Sequence, residues 1–426
     1  MKIAFLASRK GYLKVMGSLI QAALDHGHEA LLLTDPGERK PGEATSAEDL
    51  AHWPRARVLP IQRGASLAPP LAREGAEALV GPSLHFVLAS MGPEGDMRAV
   101  RAAGVRLYSV DYIVEALNSR PEAYRLLDRT FYTSEYERSW HWHGSPFKDE
   151  FETLHKSLDL SARSAISGST MLDQFGMVDR EAVRRRHPEI GPDKPVVLFM
   201  SLKLAVPEPR RRFVWGDGSA LIRTAKAVAH GRADLVPEIW KGNGYRALAQ
   251  ATRRFCDRAG AVLVVKSRQK NQDPRFLQDV ADIFVERDDE VFPYTSIQLM
   301  AVADLCIHFQ SGAVLEAAMA SVPSISVEVP LSDAQRKYPA HTFAFDPREG
   351  SLSNFPGVAW FTPPEGAVAL LEGRTLADFR LDPAARRAYV ERYLGFDDLG
   401  SSRRVLQVIE DDARVSSASR GAAPPA

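Results

Sequence analysis

Residues 303–327, with the sequence ADLCIHFQSGAVLEAAMASVPSISV, constrain the fold of this chain more than any other segment. An apolar run of strand length leads into a small-residue turn at Ser311-Gly312 and then into a short helical stretch. Pro323 precedes a second apolar run. Apolar strands joined through a helix are typical of parallel sheets that helices cover on both faces. The segment therefore predicts a strand–helix–strand unit of an α/β domain.

The turn at Ser311-Gly312 also indicates a place where phosphate could bind. The first N–H groups of a helix lack intrahelical partners and lie at the positive end of the helix dipole. Glu316 is predicted one turn into the helix, where its carboxylate could accept hydrogen bonds from ribose hydroxyls. His308, just before the turn, could reach a phosphate or be a buried structural residue. The segment predicts either a nucleoside-diphosphate site without a P-loop or an ordinary strand–helix–strand unit.

The alternation of strands and helices runs through the chain twice. In the first half, the pattern predicts strands at 2–7, 29–34, 57–61, 85–89, 105–109 and 129–133. It restarts after residue 190 and predicts strands at 196–202, 261–267, 282–285, 305–308, 324–327 and 358–361. Two such halves predict two Rossmann-like α/β domains, in which ligands bind outside the carboxyl ends of the strands.

Composition excludes some classes of protein and favours others. Lys and Arg together number 54, as do Asp and Glu, so overall charge argues against a nucleic-acid binder. The two cysteines, Cys256 and Cys306, form no disulfide framework or zinc spacing, which favours a reducing cytoplasm. The N-terminus is apolar only at 3–7, so we expect no signal peptide, and no run approaches the roughly 18 apolar residues of a membrane span. The sequence leaves open whether the protein contacts a membrane surface.

Five segments carry a resemblance to the GT-B glycosyltransferases. They are KIAFLAS (2–8), ISGSTMLDQF (166–175), KPVVLFMSLK (194–203), VLVVKSRQK (262–270) and DLCIHFQSGAVLEAAMASVPSISV (304–327). The ending YLGFDDLGSSRRVLQVI (393–409) is similar to the last helix of the CDP-glycerol glycerophosphotransferase and bacterial surface-carbohydrate group. The resemblance implies a GT-B fold, that is, two facing Rossmann-like domains with parallel sheets and an interdomain cleft.

The resemblance also implies an organisation and an activity. The expected parts are an N-terminal acceptor domain (1–165), an interdomain linker (166–192), a C-terminal nucleotide-donor domain (193–382), C-terminal helices (383–411) and a disordered tail (412–426). The implied activity is metal-independent transfer of a sugar from a nucleotide-activated donor to a surface polysaccharide or lipid-linked acceptor, without a cofactor. Three alternatives stay open: a non-hydrolysing UDP-sugar 2-epimerase, a CDP-glycerol-type glycerophosphotransferase, and a non-catalytic nucleotide or glycan binder.

The resemblance assigns roles to residues at the ends of the predicted strands. Ser311, Gly312 and Glu316 would hold the donor diphosphate and ribose. Lys266 and Arg268 follow one predicted strand and Lys203 ends another, so these cations would neutralise the leaving phosphates or lie on solvated strand ends.

A sugar transfer with inversion also needs a base for the acceptor hydroxyl, which the resemblance places in the N-terminal domain. Asp111 follows the strand predicted at 105–109, and we predict that it is this base. The alternative role of Asp111 is to cap a helix that begins at Tyr112. The segment WHWHG (140–144) brings two histidines together without a third ligand at a telling spacing, so we predict no metal site there.

Overall fold

The computed structural model describes residues 1–35, 44–62, 64–83, 95–111, 114–119, 121–201, 209–242, 244–267, 273–286, 290–329 and 338–421. The chain forms two compact units. Unit 1 comprises Met1–Met177, Glu290–Tyr294 and Glu391–Ala426, and unit 2 comprises Val178–Asp289 and Thr295–Val390. Each unit contains one parallel sheet with helices, which confirms the predicted α/β class.

The described strands of unit 1 form a seven-stranded parallel sheet in the order β3-β2-β1-β4-β5-β6-β7. These strands are β1 (Lys2–Leu6), β2 (Glu29–Thr34), β3 (Arg57–Pro60), β4 (Ala78–Pro82), β5 (Arg106–Val110), β6 (Arg129–Tyr132) and β7 (Ser164–Ile166). The helices that accompany them are α1 (Lys10–Asp25), α2 (Ala47–Leu50), α3 (Ala68–Glu74), α4 (Gly95–Ala102), α5 (Glu135–Ser139) and α6 (Lys148–His155).

The described strands of unit 2 form a six-stranded parallel sheet in the order β10-β9-β8-β11-β12-β13. These strands are β8 (Val196–Met200), β9 (Val262–Lys266), β10 (Ile283–Val285), β11 (Leu305–His308), β12 (Ser324–Val327) and β13 (Ala359–Thr362). The helices of this part of the chain are α7 (Arg180–Arg186), α8 (Ala220–Ala229), α9 (Val236–Trp240), α10 (Gly244–Ala259), α11 (Arg275–Val280), α12 (Thr295–Ala301), α13 (Ala313–Met319), α14 (Pro339–Ala344), α15 (Pro364–Gly373) and α16 (Pro383–Tyr393). None of the described helices combines the length and the apolar character that crossing a bilayer requires.

Helix α1 shows why the apolar pattern forms the core of unit 1. The residues that repeat at helical spacing are fully buried: Leu13, Met16, Leu19, Ile20 and Ala23. They pack against β1 and β2, whose side chains are buried on both faces. The chain leaves the helix through Gly27, whose φ of 80° suits glycine.

Strand β4 is the main difference between the predicted and the observed strands of unit 1. It lies between β1 and β5 in the sheet, but the sequence did not predict it. Its sequence, ALVGP, ends in Gly81 and Pro82, two residue types that are depleted in strands. The strand predicted at 85–89 lies outside the described residues.

The C-terminal segment is helical where the sequence predicted disorder. Helix α17 (Ser401–Gly421) continues through most of the tail predicted to begin at 412. The Asp412 carboxylate accepts hydrogen bonds from Arg129 Nη2 at 2.9 Å and Nε at 3.1 Å, and Arg414 pairs with Asp411 at 2.7 Å. These contacts stabilise the helix in a segment whose small and polar residues predicted disorder. Residues 422–426 lie outside the described part of the chain.

Candidate functional site

The carboxyl-end edge of the unit 2 sheet is the candidate binding site. From β8 the chain adds β9 and β10 on one side of the sheet, and β11 then joins β8 on the other side. In doubly wound sheets, ligands bind at the place where the strand order reverses. Ser201 directly follows β8 and Phe309, Gln310 and Ser311 follow β11, so both segments lie at this reversal.

Gln310 occupies an unusual position after β11. Its φ is 36°, in the left-handed region that non-glycine residues rarely adopt. Its Oε1 accepts a hydrogen bond from the Val329 N–H at 2.7 Å, which orients the amide. The side chain is buried, and its Nε2 has no hydrogen-bond partner within the described residues. Gln310 therefore combines a strained backbone with a buried amide donor that has no acceptor among the described residues.

His308, the last residue of β11, carries a second such donor. The residue is fully buried, and burial lowers the pKa of the imidazole to about 3, so the ring is neutral. Nδ1 makes a long contact of 3.5 Å with the Ser311 N–H and acts there as an acceptor. The ring proton is consequently on Nε2, which has no partner in the described part of the chain.

Two serines near the same edge also have orphaned hydroxyl groups. Ser326 in β12 lies opposite His308 in the parallel register, and its Oγ is buried without a hydrogen-bond partner among the described residues. The same holds for Ser201 Oγ at the end of β8. An unsatisfied buried polar group costs about 1–3 kcal/mol, so a concentration of such groups at one edge indicates a ligand site.

The helix N-terminus predicted to bind phosphate is more closed than the sequence indicated. Ser311 Oγ accepts a hydrogen bond from the Ala313 N–H at 3.3 Å, and its carbonyl accepts one from the Val314 N–H at 3.2 Å. Gly312 has helical angles (φ −56°, ψ −10°), so the turn does not need glycine there. Because α13 has only seven residues, we place ligand binding on the buried side chains and not on the helix dipole.

Glu316 and Lys266 are both buried, and each lies close to another group of unit 2. The Glu316 carboxylate lies close to Cys306 and helps burial to raise the pKa of that thiol. Glu316 therefore lies between α13 and the sheet. The Lys266 ammonium donates a hydrogen bond to the Ser267 carbonyl at 2.6 Å. The roles predicted for Lys203 and Arg268 concern residues outside the described part of the chain.

In unit 1, Asp111 lies at the carboxyl end of β5, as the sequence predicted. Its Oδ2 accepts hydrogen bonds from the Val114 N–H at 3.0 Å and from Thr133 Oγ1 at 3.1 Å. The first contact resembles a cap, but the described helical turn begins at Glu115, and the helix start predicted at Tyr112 lies outside the described residues. Val114 has a φ of 58°, which is strained for a β-branched residue. Such strain concentrates at functional sites.

Glu137, which the sequence did not single out, lies beside Asp111. Its Oε2 accepts a hydrogen bond from the Thr133 N–H at 2.9 Å, whereas no described donor reaches the buried Oε1. Burial, followed by the neighbouring Asp111 carboxylate, raises the pKa of Glu137 well above its usual range. The sequence signal was weak, since Glu137 follows Ser134 at the spacing of an ordinary helix cap.

The segment 140–144 has no arrangement suited to a metal among the described residues. His141 is fully buried, contacts Tyr132 Oη at 2.9 Å through Nδ1, and contacts the Ser119 carbonyl at 3.1 Å through Nε2. His143 is exposed. The two histidines therefore do not share a face, and His141 belongs to a buried polar network with Tyr132 and Tyr124.

Comparison with solved structures identifies the fold. The chain is similar to a putative UDP-N-acetylglucosamine 2-epimerase from Listeria monocytogenes, with 12% identity, a TM-score of 0.58 and 96% of each chain covered. The UDP-GlcNAc 2-epimerase from Neisseria meningitidis, solved with UDP-GlcNAc, has 10% identity and a TM-score of 0.56, over 96% of this chain and 100% of that one. The wall teichoic acid polymerase TagF has 10% identity and a TM-score of 0.52, over 97% of this chain and 90% of that one.

The chain has a GT-B fold. No family model matches it, and no curated protein sequence does either. At identities of 10–12% the structural likeness shows the fold alone. The predicted fold class is thus confirmed, and the GT-B chain's activity has to be argued from its own residues.

Proposed function

We propose that the chain is an enzyme that binds a nucleotide-activated sugar and transfers the sugar to an acceptor hydroxyl. The observation that carries the proposal is the pair of buried donors at the end of β11, His308 Nε2–H and the Gln310 amide. Both lack acceptors among the described residues, and phosphate and nucleobase oxygens are acceptors. Two of the solved structures of this fold are described with UDP or UDP-GlcNAc bound.

The donor site would act by stabilising a departing nucleoside diphosphate. Fixed donors that meet negative charge in a buried site strengthen as the leaving group develops charge. His308 and Gln310 would supply neutral donors, and Ser311 a hydroxyl. We keep Lys203, Lys266 and Arg268 as the cations of this site, and Gly312 and Glu316 as part of the diphosphate and ribose contacts.

The acceptor proton would go to Asp111. Its carboxylate is held by Thr133 and by the Val114 N–H, and burial raises the pKa of Glu137 beside it. A general base needs a fixed carboxylate whose neighbours tune its proton affinity. We propose a saccharide or lipid-linked acceptor and action in the cytoplasm.

The Asp111–Glu137 pair also favours a second candidate, a UDP-sugar 2-epimerase. An epimerase must remove and return a proton at the second carbon of the sugar, and the sequence alone did not locate carboxyl groups suited to this. Two adjacent buried carboxyl groups that held one proton between them would provide a base and an acid. Incubation with a UDP-sugar alone separates the candidates, because an epimerase turns over without an acceptor.

A nucleotide screen tests the donor site. Binding to the native state raises the unfolding temperature. The protein would be heated with UDP, GDP, CDP, CMP, ADP or TDP without metal, and we expect one nucleotide to raise the temperature clearly. A response to CDP favours glycerophosphate transfer. No shift with any nucleotide contradicts the donor site and favours a non-catalytic role.

A matched pair of variants locates the site. Gln310→Ala removes the proposed donor, and we expect affinity for the responding nucleotide to fall roughly 10-fold or more, since a hydrogen bond to a charged group contributes about 1.5–3 kcal/mol. Gln298→Ala is the control, because Gln298 is also buried in unit 2 but accepts a hydrogen bond from Arg186 at 3.0 Å. Equal affinities of the two folded variants would remove Gln310 from the site.

A further inference from the structure

Helix α8 presents its apolar side to solvent. Its sequence, ALIRTAKAVA, places Leu221, Ile222, Ala225, Val228 and Ala229 within about 120° of one another around the helix axis. The large side chains of this face are exposed, with Leu221 at 69%, Ile222 at 51% and Val228 at 53%. Helices of globular proteins ordinarily bury such a face.

The opposite side of α8 anchors the helix to unit 2. Arg223 is buried, and its guanidinium donates hydrogen bonds to the carbonyls of Phe213 and Val214. Ala227 belongs to a small core whose other buried members are Phe213, Val214, Leu235 and Ile239. Because the opposite side of α8 is packed against unit 2, the apolar side of the helix faces solvent.

An exposed tryptophan and exposed cations occur in the same stretch of chain as α8. Trp240 at the end of α9 is 57% exposed, and Lys241 follows it. Lys226 and Lys241 are exposed in this part of the chain, whereas Arg223 is buried. Arg232 pairs with Asp234, and Glu238 pairs with Arg210. Exposed apolar side chains and two exposed cations thus occur together in one short segment.

We propose that residues 220–241, which we call the α8–α9 surface, dock the protein on an anionic lipid bilayer. A helix that lies in the bilayer interface inserts Leu, Ile and Val, and its cations bind anionic headgroups. Tryptophan prefers the same interfacial depth. A second copy of the chain is a poorer occupant, because a symmetric contact would oppose two surfaces of the same positive charge.

The buried inner side of α8 is connected to the candidate donor site through aromatic packing, because Trp215 packs against the core cluster that contains Ala227. Trp215, just before α8, has its ring centroid 6.5 Å from that of Phe309. Phe309 directly precedes Gln310, the residue with the strained backbone and the orphaned amide. Docking would thus bring the carboxyl-end edge of the unit 2 sheet close to a bilayer, where a lipid-linked substrate is held. Vesicle binding itself does not depend on the nucleotide activity.

Vesicle co-sedimentation tests the proposal on the full chain. The vesicles would be phosphatidylcholine with 30% phosphatidylglycerol, about as anionic as natural surfaces, or phosphatidylcholine alone. We expect sedimentation with the anionic vesicles and weaker binding at high salt, because screening reduces the headgroup attraction. Absence of binding to anionic vesicles would overturn the proposal.

Two variants with the same substitution make the test specific. Val228→Asp places a charge on the exposed face, and we expect vesicle affinity to fall about tenfold or more. Val415→Asp is the control, because Val415 is 67% exposed in α17 and lies outside the α8–α9 surface. Unfolding temperatures show that both variants fold. Equal vesicle affinities, or a wild-type dimer that Val228→Asp converts to a monomer, would contradict bilayer docking.

Discussion

Replacing Glu137 with glutamine tests the protonated carboxyl directly. Glu137 accepts a hydrogen bond from the Thr133 N–H and lies beside Asp111 with its own pKa raised. Glutamine matches a protonated glutamate in shape, since its Oε1 can accept from Thr133 and its amide can donate to Asp111. We therefore expect Glu137→Gln to fold and to retain both contacts.

The stability difference between the variant and the wild type follows from the direction of the pKa shift. Below pH about 4.3, the ordinary pKa of glutamate, both folded and unfolded wild type hold the proton, and the variant should match the wild type. Above that pH the unfolded wild type loses the proton while the folded state keeps it. The wild type then loses about 1.4 kcal/mol of unfolding free energy per pH unit, up to the pKa of the folded state. Glutamine does not titrate, so the variant should gain relative stability over the same range.

Denaturant unfolding between pH 4 and pH 8 measures this difference. Glu135→Gln is the matched control, because Glu135 is exposed on the same helix and pairs with Arg138. Surface pairs contribute about 0–1 kcal/mol, so the control should follow the pH dependence of the wild type. If Glu137→Gln were less stable than the wild type at pH 8, or showed the same pH dependence, the carboxyl would be ionised and the argument would fail.

Two further predictions concern the C-terminal segment and its neighbours. The buried Asp173 carboxylate accepts hydrogen bonds from the first N–H groups of α17, those of Ser401 at 3.0 Å and Ser402 at 2.6 Å, so Asp173→Ala should lower the unfolding free energy by about 2 kcal/mol in denaturant titrations. Gly395 has a φ of 74°, and a Cβ there would lie 2.7 Å from a backbone carbonyl oxygen. Gly395→Ala should therefore cost about 1–3 kcal/mol, whereas Gly373→Ala, with no atom within 4 Å, should change stability by less than about 1 kcal/mol. A neutral Asp173→Ala, or equal effects of the two alanines, would contradict these assignments.

Short strands that are buried on both faces were predictable. The strand predicted at 29–34 corresponds to β2 in full, and those at 305–308 and 324–327 correspond to β11 and β12. All residues of these strands except Glu29 are buried, and apolar residues make up much of each strand. β4 was missed because its last residues are glycine and proline, and its place in the sheet depends on pairing with β1 and β5. Residues 391–426 belong to unit 1, an assignment that local pattern does not encode.

The sequence predicted the location of the candidate site but not the orientation of its side chains. The sequence predicted candidate site residues in the turn after β11 and at the end of β5. It could do so because ligands of parallel sheets bind at the carboxyl ends of the strands. Local sequence could not show that Gln310 adopts a left-handed backbone and that its amide is turned by Val329. Glu137 is separated from Asp111 by 26 positions, and only the adjacency of β5 and β6 brings them together.

The sequence by itself determined the class of fold, because the spacing of apolar residues dictates which side chains share a face of a helix or strand. It therefore predicted an α/β chain with two parallel sheets. Tertiary structure decided which faces are buried and which groups become neighbours. Helix α8 shows the difference clearly: its periodicity gathers the apolar residues on one side, but packing against Phe213 and Leu235 buries the opposite side, which carries Arg223. Burial depends on the partner that an element meets, and that partner comes from distant parts of the chain.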